Sequence, residues 1–362
     1  MMEAKVKQKI AAISVGLLGL GVVGDGVATV LLRKAVWFQA QLGVPLSLGG
    51  ILVRDSQKTR SQEIPLRLIT TEPDDILEDP SVGIVVEVLG GEHPALELIT
   101  RALECGKHVV TANKEVMAKH GFELLKVAEQ NGVQLLFEAS VGGSVPIIGP
   151  LLRDFAANEI HGIHAIINGT TNYILTLMGR DGLDFVTALR QAQDLGYAEP
   201  DPTNDIEGID AAYKLAILAT LGFRTKIDYG DVYREGITRL EDKDFRYAQE
   251  LGYIIKLLAI ARKGRGGLQL RVHPAFIPQD HLLAKVDGVF NAIEIQGDLI
   301  GAAFVHGRGA GSAPTSSAVV GNVLEIARGI LKQTNVSIVP PFMSSTEVES
   351  IEDLWTAYYL RL

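Results

Sequence analysis

The feature that most constrains this chain is a run of three glycines, Gly19-Leu20-Gly21-Val22-Val23-Gly24, placed directly after the apolar stretch 11–17. A glycine triplet that follows a strand and opens a helix is the context a dinucleotide fingerprint requires. The first glycine permits the tight turn, the second lets backbone approach a pyrophosphate, and the third lets helix and strand pack closely. The helix N-terminus then offers N–H groups and a partial positive charge to phosphate. Gly19, Gly21, Val22, Val23 and Gly24 are therefore the first cofactor-binding candidates. The alternative is a purely structural glycine turn.

The segments after this turn carry the same reading forward. Short β-branched runs at 11–17, 46–54, 83–88, 108–111 and 134–137 read as strands, mostly without in/out alternation. Such strands suit a parallel sheet covered on both faces. Helical patterns lie between them at 23–41, 94–104 and 116–130, so residues 1–139 read as a Rossmann-type doubly wound α/β domain. The second strand ends at Arg54-Asp55, with Lys58 close behind. A basic tip pairs with the 2′-phosphate of NADP, whereas an acidic one binds the ribose hydroxyls of NAD. Arg54 and Lys58 lean toward NADP, and Asp55 keeps NAD open.

Near residue 140 the rhythm changes. Strand patterns at 160–168, 268–276 and 291–296 alternate with helical ones at 173–178, 185–195 and 209–221, which reads as an α+β substrate and dimerisation domain over 140–308. A segment over 309–340, helical at 316–333, is expected to return to the nucleotide domain. Residues 341–362 form a tail. Composition excludes several classes: 47% hydrophobic and 21% charged residues mark a globular chain, and a net charge of −9 gives no pull toward nucleic acid or anionic lipid. The one cysteine, Cys105, forbids an intrachain disulfide and reads as a buried, inert thiol at a helix end. The apolar run 10–18 is too short for a membrane span, and a cytoplasmic setting follows.

The densest chemistry lies between Glu199 and Lys214. Asp210 and Lys214 are four apart, neighbours on one helix face. A solvated surface ion pair is the bland alternative, but Ile209, Ala211, Ala212, Leu215 and Ala216 are too apolar for an exposed helix. A lysine in a partly desolvated place beside a carboxylate can give or take a proton, as a carbonyl reduction requires. Lys114 follows the fourth strand at the sheet's carboxyl edge, where ligands bind in open α/β folds.

Several ordered motifs make the chain resemble the homoserine dehydrogenases. They are Asn168-Gly169-Thr170-Thr171-Asn172-Tyr173-Ile174-Leu175, Gly196-Tyr197-Ala198-Glu199-Pro200-Asp201-Pro202-Thr203 and Gly208-Ile209-Asp210-Ala211-Ala212-Tyr213-Lys214-Leu215. Ala112-Asn113-Lys114, Glu138-Ala139-Ser140-Val141-Gly142-Gly143 and Gly309-Ala310-Gly311 extend the likeness over essentially the whole chain. The resemblance implies NAD(P)-dependent interconversion of homoserine and aspartate semialdehyde. It implies Lys214 and Lys114 as proton-transfer and carbonyl-polarising groups, with Asp210 orienting the substrate end and Lys214. Glu199, assisted by Asp205, would receive the substrate ammonium; Gly169, Thr170 and Tyr197 would line the amino-acid pocket. Lys114 and Gly311 would also approach the cofactor. A monovalent cation, usually sodium, would sit near the domain junction on Glu138 and the carbonyls of Val141, Gly143 and Val145; the alternative is that Glu138 only caps the turn. Ser144 departs from the family's usual glycine, and Gly321-Asn322 from a usual acidic pair. A homodimer through the second domain's sheet is also implied. The end, Tyr358-Tyr359-Leu360-Arg361-Leu362, resembles the opening strand of a regulatory ACT domain, so a cut before such a domain is expected; pairing with the catalytic core is the alternative. Two other readings remain: another amino-acid dehydrogenase of this architecture, and a non-catalytic NAD(P)-binding redox sensor, which has no reason to keep two lysines and a carboxylate cluster.

Overall fold

In the computed structural model, which describes residues 10–59, 63–334 and 346–360, the chain folds as two units. The first takes in 10–116, 122–139 and 311–334; the second takes in 117–121, 140–310 and 346–360.

The first unit is built on six parallel strands in the order β3-β2-β1-β4-β5-β6. These are β1 (Ile13–Leu18), β2 (Leu46–Leu52), β3 (Ile69–Thr70), β4 (Val82–Glu87), β5 (His108–Thr111) and β6 (Leu135–Leu136). Val15, Leu17, Ile84, Val86 and Val110 are fully buried, the result of strands apolar on both faces. Leu18 is in register with both Leu52 and Glu87, and Glu87 with Thr111, so four strands end on one line. The strand order reverses between β2 and β4 on either side of β1, which creates a crevice at that edge. The helix Ser312–Lys332 lies against Val22–Arg33, with Ser312 Oγ donating to the Val22 carbonyl at 2.9 Å.

Two expectations change here. The helix expected over 23–41 is two helices, Val22–Arg33 and Ala35–Leu42, broken at Lys34. Of the apolar run Val36-Trp37-Phe38, only Phe38 turns inward while Val36 and Trp37 stay exposed. Cys105 is exposed, because it caps the end of Ala95–Glu104 just before Gly106 turns at φ 71°, pointing it outward from the last turn.

The second unit holds another six-stranded sheet, in the order β12-β11-β7-β9-β10-β8. Its strands are β7 (Ile160–Ile166), β8 (Tyr233–Arg234), β9 (Tyr253–Lys263), β10 (Leu268–Pro278), β11 (Phe290–Gly297) and β12 (Gly301–Arg308). Pairing is antiparallel except between β8 and β10. The sequence pattern did not reveal β9 or β12. The run Ile254–Ala261 is apolar at almost every position, so period cannot separate strand from helix there. Gly301 to Arg308 is an edge strand of small, largely exposed residues with few β-formers. Helices Gly169–Asp181 and Ile209–Phe223 cover this sheet, and the second packs so tightly on β7 that a Cβ at Gly222 would lie 3.1 Å from Ile163 Cδ1. Of the terminal stretch read as another domain's first strand, Tyr358 to Leu360 carry no strand, and Arg361 and Leu362 lie outside the described residues.

A buried lysine locks the loop before β11. Lys256, 1% exposed, donates to the Val286 carbonyl at 2.6 Å, and to Asn172 Oδ1 and Asp287 Oδ1, both at 3.1 Å. Asn172 Nδ2 in turn reaches the carbonyls of Val286, Gly288 and Phe290. Burial pushes the Lys256 amine below its ordinary range, against the pull of Asp287. Lys256→Met keeps the stem and removes the ammonium, leaving Asn172 Oδ1 without its donor. A loss of about 2 kcal/mol is expected, read as a lower urea midpoint; an unchanged midpoint would show that the ammonium contributes nothing net.

Candidate active site

At the carboxyl edge of the first sheet, the glycine turn is built as its sequence dictates. Gly19 has φ 104°, a left-handed conformation that a side chain resists, and a Cβ at Gly24 would stand 2.2 Å from the Gly19 carbonyl oxygen. Gly21 opens the helix Val22–Arg33 with nothing within 4 Å of its Cβ position, and Val22 is 74% exposed while Val23 is half-buried. Backbone at this point is open to a ligand. Arg54 and Lys58 are both exposed just past β2, while Asp55 accepts the Gln57 amide at 2.8 Å and so caps its own loop. Gly311, at φ 120°, opens the helix Ser312–Lys332.

Two residues that the sequence reading did not single out organise this edge. Glu87, wholly buried, ends β4 and accepts from the Leu89 amide at 2.7 Å and from Thr111 Oγ at 2.5 Å. Thr111 Oγ accepts the Asn113 amide, and Asn113 Nδ2 donates to the Gly91 carbonyl at 2.7 Å. Asn113 also caps the helix Lys114–Gln130 through the Val116 amide, which sets Lys114 as its first, half-buried residue. The signal for Glu87 was a carboxylate at the tip of an otherwise apolar strand.

The second unit gathers most of its candidates around one amide. Asp210 (2% exposed) and Lys214 (12%) share a face of Ile209–Phe223, with Nζ 2.6 Å from Asp210 Oδ2 and 2.9 Å from the Ile167 carbonyl. This is a partly desolvated pair and not a solvated one. Asn168 Nδ2 donates to Asp205 Oδ1 at 2.7 Å and to Asp210 Oδ2 at 2.9 Å. Thr170 Oγ donates to the Tyr197 carbonyl at 2.7 Å, and the Tyr197 ring meets Tyr173 edge-on at 5.0 Å. Gly169 begins its helix so close to the 289 backbone that a Cβ would lie 2.9 Å from the Val289 carbonyl oxygen. Glu199 is exposed in the loop beyond Tyr197, its carbonyl accepting from Gln193.

The residues expected to hold a cation offer only oxygen. Glu138 is half-buried, and its backbone N–H donates to Asn322 Oδ1 at 3.0 Å. Val141, Gly143 and Val145 are buried in a turn closed by Val145 N–H to the Gly142 carbonyl at 2.9 Å. Gly143, at φ 58°, has no room for a Cβ beneath the Gly309 carbonyl, whereas Ser144 is exposed and its hydroxyl donates to the Arg308 carbonyl.

Burial pushes the Glu87 carboxyl above its ordinary range, while bonds from Thr111 and Leu89 pull it back. A carboxyl raised in the fold favours the folded state below its unfolded value, and that advantage is lost as pH rises through the raised one. Glu87→Gln has no such titration. Wild type and variant are expected to melt alike near pH 4, with the variant gaining on the wild type as pH rises toward 8. Parallel melting profiles across that range would contradict the shift.

Comparison with known proteins agrees with this layout. A homoserine dehydrogenase family model matches residues 146–324, and a model described as the NAD-binding domain of homoserine dehydrogenase matches 19–138. The homoserine dehydrogenase of Synechocystis is 45% identical, with the alignment covering 96% of this chain and 82% of that protein. A crystal structure of a homoserine dehydrogenase from Thiobacillus denitrificans superposes with a TM-score of 0.91 at 44% identity, covering 96% of this chain and 81% of the other. A mutant homoserine dehydrogenase of a hyperthermophilic archaeon, solved in complex with NADPH, gives a TM-score of 0.74 at 28% identity, covering 87% and 97%.

Proposed function

The chain belongs to the homoserine dehydrogenase family and is an NAD(P)-binding oxidoreductase of amino-acid biosynthesis acting on a CH–OH group, and from that premise we propose which of its residues carry the reaction. The observation that carries the proposal is Lys214 Nζ held at 2.6 Å from a nearly buried carboxylate at the head of the second unit's main helix.

Held by the glycine turn, NAD(P) would supply the hydride acceptor for the carbinol carbon of homoserine. As that carbon is oxidised, Lys214 in its neutral form accepts the hydroxyl proton; in the reverse direction its ammonium returns the proton to the aldehyde oxygen. Asp210 and the Ile167 carbonyl fix the direction in which Nζ points. Lys114, at the carboxyl edge of the first unit's sheet, is the carbonyl-polarising candidate. Glu199 and Asp205 receive the substrate's ammonium group, and Gly169, Thr170 and Tyr197 line the space for its backbone. Gly19, Gly21, Val22, Val23 and Gly24 take the pyrophosphate, with Gly311 close to the cofactor. Arg54 and Lys58 favour NADP: both are exposed, and the neighbouring Asp55 is engaged with its own loop.

The oxygen-only set of Glu138 with the Val141, Gly143 and Val145 carbonyls suits a hard monovalent cation such as sodium, which would stiffen the turn at 141–145 and supply no acid–base group. No helix among the described residues is long and apolar enough to cross a membrane. A cytoplasmic homodimer, joined through the second unit's sheet, completes the proposal; two-fold contacts are the commonest route to soluble oligomers.

Lys214→Ala is expected to lower homoserine-dependent cofactor reduction about 1,000-fold, or roughly 4 kcal/mol of barrier. Cofactor affinity, followed by fluorescence of the reduced nicotinamide, should stay within about twofold, since the lysine lies outside the glycine turn. Turnover within a few-fold of wild type would sink the acid–base assignment.

A further inference from the structure

The helix Gly169–Asp181 begins with Asn168 as its cap: the side-chain oxygen accepts the Thr171 amide at 2.8 Å and the Thr171 hydroxyl at 3.0 Å. The backbone N–H of Thr171, which can only donate, fixes which end of the amide is oxygen. The NH2 group must then point the other way, and each of its hydrogens meets a different carboxylate, Asp205 Oδ1 at 2.7 Å and Asp210 Oδ2 at 2.9 Å. Asn168 is itself buried.

Capping alone does not call for asparagine. Serine, aspartate and asparagine cap about equally well. Only asparagine joins a capping acceptor to a fork of two N–H donors. The two aspartates sit on separate elements, Thr203–Ile206 and Ile209–Phe223, and like charges push them apart. The oxygen of Asp210 that Asn168 holds is also the one that receives Lys214 Nζ.

We infer that Asn168 is a positioning residue for the reaction: its amide clamps the substrate-facing Asp205 to the lysine-orienting Asp210 and shares the Asp210 oxygen with Lys214. The inference rests on the roles given to Lys214, Asp210 and Asp205 above. It makes Asn168 a tuner of the lysine as well as a brace. With its N–H withdrawn, more negative charge remains on Asp210 Oδ2, the lysine holds its proton more tightly, and the amine becomes neutral only at higher pH.

Asn168→Ser keeps the cap and removes the fork; Asn168→Asp keeps the cap and replaces the fork with a third carboxylate. In homoserine oxidation, the rising limb of kcat/KM against pH should move upward by about half a unit in the first variant and about one unit in the second. KM for homoserine should rise about tenfold as Asp205 is released, with KM for the cofactor unchanged. A defect of packing alone would lower kcat at every pH without moving the limb. Limb and KM left at wild-type values in a folded Asn168→Ser or Asn168→Asp protein would overturn the inference. Because both variants keep a capping oxygen, the loss of one to misfolding leaves the other to decide. Lys214→Ala run alongside separates the two claims: a crippled control with wild-type-like Asn168 variants overturns this inference alone, whereas an active control overturns the lysine's role and this inference with it.

Discussion

The second unit depends on keeping a buried aspartate, Asp210, together with a half-buried lysine and a half-buried second aspartate, Lys214 and Asp205. Withdrawing charges from water costs several kcal/mol each, and their mutual attraction offsets that cost only when further hydrogen bonds satisfy the remaining atoms. Here several such bonds converge on Asp210 Oδ2 and on the lysine. The Ile167 carbonyl takes one lysine proton, Asp210 takes another, and Asn168 supplies donors to both carboxylates. The partners come from the Ile167–Asn168 junction after strand β7, the short helix Thr203–Ile206 and the helix Ile209–Phe223, so the cluster can form only when these have packed together. The close approach at Gly222 and the lock at Lys256 serve that packing.

The first unit solves a related problem with backbone. Its ligand edge is made where four strands end together, and the loops leaving that edge are held by one buried carboxyl, Glu87, through Thr111 and the Leu89 amide. Both carboxyl oxygens are used, one accepting from the Leu89 amide and the other from the Thr111 hydroxyl. The raised proton affinity of Glu87 records how dry that edge is. The glycine turn needs no side-chain chemistry; it needs a left-handed residue at Gly19 and the absence of a Cβ at Gly24.

What was legible in the sequence was local. The glycine spacing, the strand-turn-helix order and the i,i+4 relation of Asp210 to Lys214 are all written within a few residues. Asn168 and Glu87 were not legible, because Asn168 works through partners 37 and 42 positions away and Glu87 through one 24 away. In a linear reading, the first is only a helix cap and the second only a strand end. Strand β9 was hidden by burial on both faces, which erases the period that reveals a strand. Cys105 misled for the opposite reason: its residue type prefers the interior, but its place at a helix end set its exposure. Residue type and spacing identify chemistry well when the partners are near in sequence, and poorly when the fold brings them together.

The proposed chemistry requires that the Lys214 amine move a proton. The most direct measurement is chemical rescue of Lys214→Ala by small amines of graded basicity, followed by cofactor reduction with homoserine. Restored turnover that rises with the basicity of the added amine is the predicted result. A variant that binds cofactor and substrate normally yet is rescued by no amine, or only in proportion to amine size, would contradict it.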